Sequence, residues 1–108
     1  RISEIGKLFV DAGLITIACF ISPLIVNREM VRATLGEDFI EIFVDCPLDE
    51  CEKRDPKNLY KKARLGEIKE FTGITSPYEN PENPEIVIST KEQTIDQCVD
   101  KILDYLKL

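Results

Sequence analysis

A basic segment lies between Arg54 and Glu70 in a chain that is otherwise acidic. It holds six basic and three acidic residues, a net charge of +3, whereas the whole 108-residue chain carries −6. Lys57, Lys61 and Arg64 are spaced at i, i+4 and i+7, which predicts that they share one face of a helix. Cations grouped beside a glycine-containing loop can bind phosphate or sulfate, but a solvated helix face has the same spacing. Spacing alone leaves both interpretations open.

A second candidate is Ser22, which follows the apolar run LITIACFI at 14–21. The run has the length of a buried strand, and Ser22-Pro23 ends it. Ligand sites of open parallel sheets lie at the carboxyl ends of the strands, here predicted at 20–23, 45–47 and 89–90. The chain has no histidine to activate a serine nucleophile.

The elements that must position these residues alternate between helix and strand. Apolar spacing and turn residues predict helices at 2–12, 27–35, 47–54, 58–66 and 95–106, and strands at 14–21, 39–45 and 85–89. Asn27 and Thr94 are predicted helix N-caps, Gly13 and Gly36 predicted helix ends, and the proline-rich segment 67–84 a loop. The alternation predicts an α/β fold, a parallel sheet with helices on both faces. Three strands are few for five helices, so we expect a domain that is incomplete at the N-terminus.

Composition excludes several classes of function. The net charge of −6 argues against a nucleic-acid partner, and no apolar run reaches the roughly 18 residues of a membrane span. The four cysteines (Cys19, Cys46, Cys51 and Cys98) form no CxxC pair, so no metal site is expected. We expect them to be reduced thiols of a cytoplasmic protein, with Cys19 and Cys98 facing the core.

Five stretches, in order, resemble the adenylylsulfate kinase (APS kinase) family. YKKARLGEIKEFTGI is similar to the family's lid, whose usual form is LYKKARAGEIKGFTGI. The other four are RISEIGKLFVDAGLI, FISP with the trailing Arg28 and Arg32, FVDCPLDECEKRDPK, and PYENPENPEIVI. The resemblance implies a P-loop nucleoside triphosphate hydrolase/kinase-like fold. Residues 1–108 are then the C-terminal part of a single kinase domain, with the lid at about 57–80.

The resemblance also implies an activity. Family members transfer the γ-phosphoryl of ATP to the 3′-hydroxyl of adenylyl sulfate, giving 3′-phosphoadenylyl sulfate in sulfate assimilation. The phosphate-binding string GxxxxGK[ST] does not occur in this chain. We therefore expect the ligands of ATP and Mg²⁺ to lie largely upstream, and the chain alone to be inactive. A cytoplasmic homodimer is expected by the same resemblance.

Two other functions stay open. One is a non-catalytic pseudokinase or regulatory module that binds adenylyl sulfate without turnover. The other is a different P-loop nucleotide kinase with an arginine-rich lid. Adenylate kinases share that logic but not the FISP or GEIKEFTGI strings.

Residue by residue, the resemblance implies a pocket for adenylyl sulfate. Ile21, Ser22 and Lys57 match contacts to this substrate, and Phe71 matches the aromatic residue that stacks on its adenine. Ser22 also matches a phosphoserine described as an intermediate. For Ser22, a covalent role, a substrate contact and a strand-end cap all remain open, because in-line phosphoryl transfer needs positioning and charge stabilisation rather than a protein nucleophile. For Phe71, packing into the core is the alternative.

On the ATP side, Arg54 matches the arginine that lies against the nucleotide base, and Thr90 begins the adenine-side loop that ends at Thr94. Lys61, Lys62 and Arg64 match lid cations. Glu70 lies among the substrate-pocket residues, at a position where the family usually has glycine.

Overall fold

The computed structural model describes every residue from Arg1 to Leu108, and the chain divides into two compact units, Arg1–Ile40 and Glu41–Leu108. None of the helices is both long and apolar enough to cross a membrane.

The first unit is built on two helices, α1 (Ile2–Asp11) and α2 (Ile25–Leu35), which pack against each other. A single 3₁₀ turn, Gly36–Asp38, follows α2. The predicted end of α1 is confirmed, since Gly13 has φ 87° and its N–H donates to Val10 O at 2.9 Å. Leu14 N donates to Phe9 O at 3.1 Å, which completes a glycine-based helix end.

The predicted strand at 14–21 is absent. A strand exists through hydrogen bonds to a neighbouring strand, and the only sheet pairs two other segments with each other. The apolar side chains of the run are therefore exposed, as is Cys19, so the prediction that Cys19 faces the core was wrong. Asn27 is not the N-cap of α2 either. The helix begins two residues earlier, after the extended Leu24, and no side chain caps it.

The second unit contains a two-stranded parallel sheet and three helices. Its elements are β1 (Ile42–Asp45), α3 (Leu48–Arg54), α4 (Leu59–Arg64), β2 (Ile86–Ser89) and α5 (Ile95–Leu106). The two strands pair in parallel, as predicted, with Ile42 opposite Ile86 and Asp45 opposite Ser89. Both are shorter than the predicted 39–45 and 85–89. The segment 67–84 contains neither helix nor strand, as predicted.

The core of the second unit is small and lies under β2. Its buried apolar side chains are Ala63, Ile86, Ile88 and Cys98. Cys98 comes from α5, which packs on β2. Thr94 caps α5 as predicted: its hydroxyl accepts from Gln97 N, and the Gln97 side chain accepts from Thr94 N. This reciprocal pair fixes where α5 begins after β2.

Candidate functional site

Ser22 lies in the first unit, in a turn that a buried arginine holds. Its φ is 41°, in the left-handed region that costs a non-glycine residue about 1–2 kcal/mol. The main-chain O of Ser22 accepts a hydrogen bond from Nη1 of Arg28 on α2. Arg28 is only 8% exposed, whereas the adjacent Ile21 is 67% exposed. The turn therefore presents Ile21 outwards while its backbone is anchored from the helix behind it.

In the second unit, the carboxylate of Asp55 joins α3 to α4. Asp55 follows the last residue of α3, and its two oxygens accept from Tyr60 N and Lys61 N, each at 3.0 Å. These are N–H groups of the first turn of α4, which have no partner within the helix. Asp55 therefore caps α4 from three residues before the formal N-cap, Asn58. Sequence reasoning missed this role, which an aspartate before a proline and a helix could have suggested.

Lys57, Lys61 and Arg64 do not share one helix face. The helix α4 begins at Leu59, and Asn58, with φ 57°, separates it from Lys57. A left-handed residue at this point breaks the 3.6-residue period, so the i, i+4, i+7 spacing does not translate into one face. The prediction of a helix ending near Gly66 is confirmed, because Gly66 has φ 78° and follows α4 by two residues.

Arg54 and Thr90, both predicted on the ATP side, are in direct contact. Arg54 Nη2 donates to Thr90 O at 2.8 Å, and Arg54 Nε donates to Glu50 Oε1 at 3.0 Å. Thr90 is itself fixed to the end of β1, because its N–H donates to Asp45 O at 3.0 Å. The three contacts bring the end of α3 to the carboxyl ends of β1 and β2.

A cavity of about 340 Å³ lies at this junction. Its lining is mainly apolar, with polar groups at one side: Arg54, Ile88, Thr90, Gln93, Ile95, Cys98, Val99 and Ile102. Sequence reasoning missed Gln93, whose Oε1 accepts from Ser89 N at 2.9 Å, and no sequence signal singled it out. An apolar slot with a guanidinium and main-chain groups at its edge has the chemistry for a flat heteroaromatic base.

Arg64, a predicted lid cation, is paired with a carboxylate. Arg64 Nε and Nη2 donate to the two oxygens of Glu52 at 2.6 Å and 3.2 Å. The hydrogen bond from Arg64 holds the pKa of the Glu52 carboxyl below its usual range, and raises the pKa of Arg64. The ends of α3 and α4 are thereby linked by a two-point contact. Lys57, Lys61 and Lys62 are exposed on the same segment.

Phe71 packs edge-to-face against Tyr60, with ring centroids 4.9 Å apart. Tyr60 is half-buried beside the Cys51 thiol. Burial, together with the contact to Cys51, raises the pKa of Tyr60, and burial next to Cys46 raises the pKa of the Cys51 thiol. The Phe71 ring therefore has one edge on a fixed aromatic neighbour and remains partly exposed.

The loop that follows Phe71 is closed by its own main chain. Phe71 O accepts from three N–H groups, those of Ile74, Thr75 and Ser76, at 2.9–3.1 Å. Thr75 Oγ1 also accepts from Phe71 N at 2.7 Å. Glu70, just before it, has φ 54°. Glycine adopts this conformation without strain, which gives a physical reason why glycine suits the position and why Glu70 is strained there.

Several predicted site residues are thus placed in pairs, and others stand apart. Arg54 contacts Thr90, and Glu70 adjoins Phe71. Lys57, Lys61 and Lys62 project from α4 or the turn before it. Ile21 and Ser22 belong to the first unit. No three carboxylate, cysteine or histidine groups converge in the chain.

Comparison with known proteins gives one matching family and several curated relatives. The family model described as "Adenylylsulphate kinase" matches residues 1–89. The adenylyl-sulfate kinase of Clostridium kluyveri is 63% identical over 106 residues, 98% of this chain and 53% of that protein. That of Clostridium acetobutylicum is 61% identical over 107 residues, 99% of this chain and 54% of that protein. The chain therefore spans about half the length of the curated relatives that it matches.

A solved structure agrees over the full chain. The structure of the Mycobacterium tuberculosis APS kinase CysC, in complex with AMPPNP and APS, superposes with a TM-score of 0.92 at 40% identity. The superposition covers 100% of this chain and 64% of that one. This match confirms the predicted fold class, the P-loop kinase-like α/β fold with a parallel sheet and helices.

Proposed function

This chain belongs to the adenylylsulphate kinase family, and from that premise we propose the activity of the protein that carries it. It transfers the γ-phosphoryl of ATP to the 3′-hydroxyl of adenylyl sulfate and so produces 3′-phosphoadenylyl sulfate for sulfate assimilation. Residues 1–108 form the C-terminal part of the kinase domain, with the lid at about 57–80. The protein works as a homodimer in the cytoplasm, where thiols such as the four free cysteines stay reduced.

The observation that carries the proposal is the contact between Arg54 and Thr90 beside the apolar cavity. The resemblance assigns both residues to ATP, and they line one cavity of suitable chemistry. Arg54 lies on one face of the adenine of ATP, and the apolar side chains of α5 line the slot. Two hydrogen-bond acceptors, the Glu50 carboxylate and the Thr90 main-chain O, orient the guanidinium, so it is preorganised for stacking rather than free to rotate.

Adenylyl sulfate is bound by a second set of residues. Phe71 stacks on its adenine, supported from the side by Tyr60. Ile21, Ser22 and Lys57 contact the substrate, and Glu70 shapes the loop beside Phe71. Lys61 and Lys62 contribute positive charge to the lid, whereas Arg64 acts mainly through its pair with Glu52, which ties α4 to α3.

These residues bind, orient and exclude water, which is most of what phosphoryl transfer needs from a protein. Mg²⁺, when bound with ATP, would neutralise phosphate charge, and its ligands would lie largely outside these 108 residues. Ser22 contributes a substrate contact. A phosphoserine at Ser22 is the alternative, and intact-mass measurement after incubation with ATP separates the two.

Binding and turnover measurements test the proposal. Adenylyl sulfate should raise the melting temperature of the protein more than AMP does, and a coupled assay should show ATP-dependent formation of the 3′-phosphorylated product. A preference for AMP would point to another nucleotide kinase. Binding of adenylyl sulfate without turnover by the complete protein would point to the non-catalytic module.

The 108-residue chain by itself should show no turnover in the same assay, because it lacks the GxxxxGK[ST] string. The adenylyl-sulfate kinase of Clostridium kluyveri is the positive control. Normal turnover by the 108 residues alone would contradict the assignment of phosphate binding to residues outside them.

A further inference from the structure

Arg28 is the one charged side chain that is buried in the chain. It lies in α2 and is 8% exposed, so its guanidinium has given up most of its contact with water. Burial of a charge is unfavourable unless hydrogen bonds replace those to water. Its Nη1 donates to the main-chain O of Ser22, six residues earlier, across the Pro23 turn.

The group that Arg28 holds is itself in an unfavourable conformation. Ser22 has φ 41°, and a non-glycine residue keeps such a conformation only where its surroundings enforce it. The flanking run 14–21 forms no strand hydrogen bonds that could do so. The anchor at the Ser22 carbonyl comes from the side chain of Arg28, and a charged donor makes it a strong one.

We propose that Arg28 is a positioning residue for adenylyl sulfate: it anchors the left-handed turn at Ser22 from its buried place on α2 and thereby fixes Ile21 and Ser22 for contact with the substrate. The inference rests on the proposed function in assigning that contact. Arg28 does not touch the substrate; it acts through the Ser22 backbone, so its loss should affect adenylyl sulfate and leave ATP nearly untouched.

The first test is kinetic and uses the complete protein. Arg28→Gln should raise KM for adenylyl sulfate about tenfold or more, while KM for ATP changes less than about twofold, because a charge-assisted hydrogen bond is lost at one site only. Arg28→Lys keeps the charge and one donor, and should give an intermediate KM. Arg32→Gln is the matched control: it removes the same charge one turn along α2, where Arg32 stacks over Phe39 at 5.0 Å. Equal effects of Arg28→Gln on both substrates, or an equal effect of Arg32→Gln, would overturn the proposal.

A double-mutant cycle asks whether Arg28 acts through Ser22. Removing the Ser22 hydroxyl with Ser22→Ala should weaken adenylyl sulfate binding, and in that background Arg28→Gln should have a markedly smaller effect, because residues acting as a unit are not additive. The same fold-change in both backgrounds means that Arg28 does not act through the Ser22 side-chain contact, and that part of the proposal is then wrong.

A third measurement does not depend on the substrate. Amide hydrogen exchange at the start of α2, where Arg28 N donates to Leu24 O at 3.3 Å, should be about tenfold faster in Arg28→Gln than in Arg32→Gln, since the turn before the helix loses its anchor. Unchanged exchange there would overturn the inference even if the protein proves to be the proposed kinase. Faster exchange in a protein that does not bind adenylyl sulfate would refute the proposed function and leave the anchor established. If Arg28→Gln does not fold, Arg28→Lys takes its place in all three measurements.

Discussion

The guanidinium of Arg54 is held by two partners, Glu50 within α3 and the main-chain O of Thr90 at the end of β2, at 3.0 Å and 2.8 Å. The Thr90 contact reaches 36 residues along the chain. One side chain thereby connects the end of α3 to the end of β2. The chain's own groups therefore fix the plane of the guanidinium.

Arg54→Ala should therefore weaken ATP binding. We expect KM for ATP to rise about tenfold, the loss of one stacked cation from an apolar site, with a smaller change for adenylyl sulfate. Arg54→Lys should be nearly as poor, because an ammonium cannot satisfy both partners and also stack. Lys53→Ala, the adjacent exposed cation of α3, is the control and should change neither KM. A larger effect of Arg54→Ala on adenylyl sulfate than on ATP would contradict the assignment.

Glu70→Gly should stabilise the protein. Glu70 has φ 54°, and glycine adopts this conformation without the clash of a Cβ. The greater freedom of glycine in the unfolded chain offsets part of this gain. We therefore expect a net increase of about 0.5–1 kcal/mol in the free energy of unfolding in urea. Lys69→Gly, one residue earlier and without a positive φ, should be neutral or destabilising. A less stable Glu70→Gly variant would mean that the carboxylate makes a compensating contact.

Asp55→Ala should loosen the junction between α3 and α4. Two N–H groups of α4 lose their acceptor, and the loss of such a cap costs about 1–2 kcal/mol. Asp55→Asn keeps one acceptor oxygen, so its free energy of unfolding should lie between those of Asp55→Ala and the wild type. Urea unfolding monitored by far-UV circular dichroism measures the series, with Lys53→Ala again as the control. An Asp55→Asn variant as unstable as Asp55→Ala would show that the charge, not the count of acceptors, matters.

The Glu52–Arg64 pair should make part of the stability depend on pH. The folded state lowers the pKa of Glu52, so the pair stabilises the fold above the ordinary carboxyl pKa and loses its effect as pH falls through the lowered value. Glu52→Gln should thus be less stable than the wild type at pH 7, and the difference should shrink below about pH 4. Glu67→Gln, which removes an exposed carboxylate of the lid, should show no such convergence. A difference that persists unchanged at low pH would exclude the ion pair as its cause.

The sequence predicts local features well where local chemistry decides them. Thr94 and Gln97 form the predicted N-terminus of α5 because capping depends only on residues three apart. The segment 14–21 was predicted as a strand because its composition is that of a buried strand. Composition, however, cannot supply the neighbour whose hydrogen bonds make a strand.

The sequence likewise predicts only part of the candidate site. The family resemblance put Arg54 and Thr90 on the same side of the site, and the structure brings them into contact. The prediction that Lys57 and Arg64 share one helix face was wrong, because Asn58 takes a left-handed conformation that spacing does not reveal. Arg28 was noted only as a trailing arginine, since burial of a cation cannot be read from its neighbours in sequence.

The cap that Asp55 places on α4 has a consequence for how the lid attracts its ligands. A free helix N-terminus draws anions through its N–H groups and its dipole, an effect that falls off within the first turn of the helix. In α4 two of those groups are already occupied by a carboxylate. The electrostatic attraction to phosphate or sulfate then comes from long lysine side chains in open solvent, such as Lys61 and Lys62. Such attraction is screened over about 10 Å at 0.1 M salt, so the capture of nucleotide by this lid should weaken steadily as ionic strength rises.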